Sequence, residues 1–98
     1  MFALSFNMNA QEDKSARDLA KEDAYALGEY LEISGPILTD LTNLFVEKHQ
    51  VLLTEGISEE RKQVLTQVIE QKLAATLDSS QIEKLKANET LYKKLIRN

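Results

Sequence analysis

The chain of 98 residues has no cysteine and no tryptophan, a single proline, three glycines and a single histidine. Without cysteine there are no disulfides, no thiolate metal sites and no cysteine nucleophile, although this does not fix the compartment. One histidine leaves no histidine pair to hold a metal, and neither an H-E-x-x-H pattern nor comparable ligand spacing occurs. Also missing are a glycine-rich phosphate loop and an Asp-rich calcium loop with its glycine. No run of eighteen apolar residues exists, so no membrane span is expected. So few chain breakers, among so many Leu, Ala, Glu, Lys and Gln residues, favour helices.

What is present is ordinary for a folded chain of one domain: 43% hydrophobic and 29% charged residues. The charge is uneven. Residues 1–60 carry twelve acids and four bases, whereas residues 61–98 carry four acids and eight bases. Acidic helices packed on basic ones would account for this, as would a basic half that meets an acidic partner or a phosphate surface. An acidic chain without aromatic-studded basic patches is a poor nucleic-acid binder, and no nucleic acid is expected as a partner.

Residues 1–10, from Met1 to Ala10, contain no charge, and a polar stretch opens at Gln11. An apolar run closing on a small residue has the shape of the end of a secretory signal peptide. On this reading residues 1–10 are its remnant, residues 11–98 form a single helical domain, and the mature chain begins at Gln11. Two features depart from that pattern, a missing basic n-region and Met8 three before the cut, where a small residue is preferred; an internal Met1, with the true start upstream, would supply the n-region. The alternative is an apolar arm packing on the helices.

Four helices are expected. Ser15 with Asp18 offers a capping-box variant, followed by Ala16, Ala20, Ala24, Leu27 and Leu31 at helical spacing. This alanine-rich stripe permits close approach to a neighbour, and Ser34-Gly35-Pro36 is expected to end it near Ile33. The second helix runs from Pro36 to about Thr54 through Leu38, Leu41, Phe45 and Leu52, with Gly56 as its stop. Ser58 caps the third, in which Leu65, Ile69, Leu73 and Leu77 fall every four residues, with Val64 and Val68 beside them. Leu77, Asp78, Gln81 and Ile82 form a helix-start motif: Asp78 and Gln81 as a capping box, Leu77 and Ile82 as its hydrophobic staple. The fourth helix is interrupted at Asn88, which can cap a last segment bearing Leu91, Tyr92, Leu95 and Ile96. Short connections imply antiparallel neighbours, in a bundle or as interlocked helical hairpins.

The run Leu77-Asp78-Ser79-Ser80-Gln81 resembles the L-T-x-x-Q motif of the Spy/CpxP-type periplasmic helical proteins, with Asp in the Thr place and no second copy of the motif. That resemblance implies an exported, all-α, cradle-shaped dimer acting as a stress-linked chaperone or regulator.

His49 follows Phe45 by four residues and edges the apolar face, where a packed, hydrogen-bonded role is expected; Glu47 points to another side. Glu12, Asp13, Asp18, Glu22 and Asp23 form an acid-rich run interleaved with Lys14, Arg17 and Lys21, which reads as a solvated face. Tyr25, Tyr30 and Tyr92 read as boundary residues with wet hydroxyls. No catalytic residue, cofactor or metal is expected. The functional expectation is an exported, periplasmic or envelope, protein-binding module that holds a partner or client and pairs as a homodimer. Its candidate interaction face is Leu38, Leu41, Phe45, Leu52, Leu65, Ile69 and Leu73. The alternative is a cytosolic helical regulator or adaptor without catalytic activity.

Overall fold

The computed structural model describes residues 14–97, which form five helices and no strand. The helices are α1 (Ala16–Leu31), α2 (Pro36–Leu52), α3 (Glu59–Thr76), α4 (Ser79–Ala87) and α5 (Glu89–Arg97). The all-α class is as expected, with five helices in place of about four. The signal-peptide expectation falls on residues 1–10, outside the described residues.

Each helix start has a local cause. Ser15 accepts from the Asp18 N–H while the Asp18 carboxylate accepts from the Ser15 N–H, a reciprocal capping box. Pro36 opens α2, where its missing N–H leaves no donor wanting. Ser58 caps α3 through the Arg61 N–H. Asp78 accepts from the Gln81 N–H at 2.8 Å, and Gln81 accepts in return from the Asp78 N–H at 3.0 Å. Asn88 is both the C-cap of α4 and the acceptor of the Leu91 N–H, so one polar residue ends one helix and begins the next.

Two stops differ from expectation. α1 ends at Leu31, because Glu32 adopts the left-handed conformation (φ 57°) and the Ile33 N–H donates to the Gly28 carbonyl. Gly35 therefore does not close α1; with φ 77° it turns the chain into Pro36. α2 ends at Leu52, and Gly56 (φ 74°) lies beyond it, in the turn that leads to Ser58.

α1 and α2 form a hairpin with the most extensive contact in the fold, and α5 packs against α1, α3 and α4. The inner stripe of α1 is Ala20, Asp23, Ala24, Leu27, Gly28 and Leu31, small enough for α2 to come close. At Gly28 an added Cβ would stand 3.2 Å from a Leu38 methyl and 3.2 Å from the Ile33 carbonyl oxygen. The core gathers Leu27, Leu41, Phe45, Ile69, Leu73, Leu85 and Leu95, contributed by all five helices.

These ends set a testable pair of effects. Replacing Asp78 with Ala removes an N-cap and is expected to lower unfolding free energy by about 1 kcal/mol. Replacing Glu32 with Gly relieves a left-handed side chain and is expected to raise it by about 1 kcal/mol. Chemical denaturation reads both; no change at either position would show that neither end is set by its cap.

Candidate functional site

Asp23, Lys48 and His49 are the place where ionisable side chains converge in the interior. Asp23 lies three residues after Ala20 and four before Leu27, so helix periodicity turns it inward from α1. Lys48 lies three residues after Phe45 and four after Leu44, on the inner stripe of α2. Their side chains are 2% and 0% exposed, and that of His49 is 6% exposed.

The Lys48 ammonium donates to Asp23 Oδ2 at 2.7 Å, to the Leu95 carbonyl at 2.8 Å and to the Lys94 carbonyl at 3.2 Å. Three acceptors match the three donors of an ammonium. It also lies 5.2 Å from the centre of the Phe45 ring, within cation–π range. His49 Nε2 lies 2.7 Å from the same Asp23 oxygen. An ionised carboxylate only accepts, so this nitrogen carries the proton and donates. Burial pushes the Lys48 pKa below its ordinary 10.5; Asp23 opposes that through hydrogen bond and charge, and Lys94 adds to the fall.

The two carbonyls bound by Lys48 belong to the last turn of α5, whose carbonyls have no partner within the helix. The cation thus meets the negative end of the α5 dipole as well as Asp23. A third carbonyl of that turn, Ile96, accepts from Thr66 Oγ1 of α3 at 3.2 Å. Tyr92 of α5 donates to Glu70 of α3 at 2.9 Å, and burial with this carboxylate pushes its phenol up to about 12. Tyr30 of α1 donates to the Lys84 carbonyl of α4 at 2.9 Å. Tyr30 and Tyr92 are half-buried boundary residues whose hydroxyls also link helices; Tyr25, 70% exposed, is on the surface.

The acidic run of α1 is corrected in part. Asp18 caps the helix and Glu22 pairs with Lys14 at the surface, but Asp23 is interior. Glu12 and Asp13 lie outside the described residues. His49 is a packed, hydrogen-bonded side chain, whereas Lys48 was missed: in the sequence it stands among polar neighbours and looks solvated. A signal was there, since Lys48 fills the gap in the apolar stripe between Phe45 and Leu52. Asp23 fills the same kind of gap between Ala20 and Leu27.

Chemically, this triad holds rather than reacts. The donors of Lys48 and the Nε2 proton of His49 are all engaged, and almost no surface admits a substrate. Among the described residues, no three His, Asp or Glu side chains stand close enough to share a metal ion, and no helix is long and apolar enough to cross a membrane.

The candidate interaction face divides. Leu41, Phe45, Ile69 and Leu73 are interior, 0–1% exposed, so helix packing within the chain already covers them and they offer no contact surface. Leu38, Leu52 and Leu65 are half-buried. Ile37 and Leu53, near the two ends of α2, are 44% and 55% exposed, and on α3 the open apolar surface lies one position round from Leu65 and Ile69. Val64 and Val68 are 58% and 37% exposed, and with Val51 and Leu65 they line a groove of about 390 Å³ between α2 and α3. Ser58, Glu60 and Arg61 form its polar rim.

The ion pair has a sharp energetic signature. Lys48→Met removes the cation and leaves Asp23 buried beside His49 alone, which is expected to cost about 3–5 kcal/mol. Adding Asp23→Asn, which still accepts from His49, is expected to recover roughly half of the loss or more. Denaturant titration of the four chains closes the cycle; strictly additive effects would mean the two groups do not interact.

No protein-family model matches this chain, and no curated protein or solved structure shows significant similarity to it.

Proposed function

We propose that the chain is a helical protein-binding module that works outside the cytoplasm and holds a partner or client through the α2–α3 groove. The observation that carries this reading is the groove itself: branched apolar side chains from two helices, left open beside an interior that is otherwise closed. Exposed apolar surface with a polar rim is the usual mark of a contact site. The site has no oriented nucleophile and no accessible acid–base pair, so binding accounts for it better than catalysis does. Export is supported by the uncharged stretch from Met1 to Ala10 and by the likeness of residues 77–81 to the L-T-x-x-Q motif. That likeness favours a stress-linked, chaperone-like role. The capping box at Asp78 and Gln81 gives the motif a mechanical use as well, the start of α4.

The test is suppression of light scattering from a heat-unfolded client protein. The wild-type chain is expected to hold it soluble at near-stoichiometric ratio, and Val64→Glu and Val68→Glu to lose most of that effect. Both positions are exposed, so the fold is expected to survive each change. Equal protection by all three chains would remove the groove from the account. Expressed from its native upstream region, the chain is expected in the cell envelope with Gln11 at its start; Met1–Ala10 retained in a cytosolic fraction would contradict export.

A further inference from the structure

Glu60, Val64, Val68 and Lys72 stand four residues apart on α3 and are all exposed. Residues at this spacing form one continuous ridge on a helix surface. Its order is acid, valine, valine, base, so the ridge is complementary to itself when reversed. We propose that this ridge pairs with the same ridge of a second copy, the two α3 helices running antiparallel about a twofold axis level with Thr66. The proposal rests on the reading of the α2–α3 groove as a protein-binding face and names its partner.

In that register Val64 of each copy meets Val68 of the other, and Glu60 meets Lys72, so each contact occurs twice, as a closed twofold pair requires. Arg61 falls opposite the uncharged Gln71, and no like charges meet along the ridge. A parallel arrangement would set Glu60 against Glu60 and Lys72 against Lys72. Charge therefore selects the antiparallel pair, and the valines supply the apolar contact. α3 has 18 residues, about 27 Å of helix at 1.5 Å per residue. One such ridge buries less than the roughly 800 Å² per partner of a standard stable interface, so the pair is a transient one.

Sedimentation equilibrium of the full chain, with Glu60→Lys, Lys72→Glu and the double swap, tests the register. The wild type is expected to dimerise with concentration. Each single swap sets like charges together twice and is expected to raise Kd about tenfold, while the double swap restores it. A wild type that stays monomeric, or a double swap no better than the singles, overturns the proposal. Binding of an amphipathic apolar peptide, read by fluorescence in the same samples, separates the two readings. A monomer that binds the peptide through Val64 and Val68 keeps the groove as a binding face and loses only the self-pairing; a monomer that binds nothing loses both.

Discussion

A lysine ammonium with no exposed surface has lost its hydration, a loss of several kcal/mol that only close acceptors can offset. Lys48 meets that demand with Asp23 from α1 and the terminal carbonyls of α5, while extending from α2 itself. The requirement runs in both directions. The α5 carbonyls need a donor because their helix has ended, and Asp23 needs a cation because α1 has turned it inward. Unlike apolar contacts, which tolerate sliding, these bonds fix the depth and register at which α1 and α5 meet α2. Thr66, Tyr92 and Tyr30 add fixed points between α3 and α5 and between α1 and α4.

A fold held in this way separates its interior from its surface. The side chains with chemical potential, Asp23, Lys48 and His49, are occupied with one another. Among the apolar side chains left exposed, Val64 and Val68 stand together on one helix, whereas Tyr25, Ile37 and Leu53 lie elsewhere in the chain. Among the described residues, α3 supplies Ile69 and Leu73 to the core from its inner face while Val64 and Val68 of its outer ridge are exposed.

Much of this was legible in the sequence because it depends on neighbours in the chain. The caps at Ser15, Ser58, Asp78 and Asn88 are local patterns, and so is the proline that opens α2. The stop of α1 is not legible in the sequence, because Glu32, not a glycine, takes the left-handed turn, and nothing in a glutamate announces that. The interaction face rests on apolar stripes alone, and stripes report which face is buried, not what buries it. The partner of Leu41, Phe45, Ile69 and Leu73 turned out to be the rest of the chain. Asp23 and Lys48 are 25 residues apart, so their pairing exists only once α1 and α2 have folded back on each other. Two opposite charges lodged in two facing apolar stripes were nonetheless the clue to it.

α5 is the element that most needs the buried lysine. It has nine residues, and an isolated helix shorter than about 12–15 residues is marginal in water. Amide hydrogen exchange measures its anchoring directly. If Lys48 and its partners pin α5 to the hairpin, the Leu95 and Ile96 amides open only with the Phe45 amide of α2, at the free energy of global unfolding. If α5 amides exchange orders of magnitude faster than Phe45 at neutral pH, the helix frays on its own, and the buried ammonium does not hold the fold together.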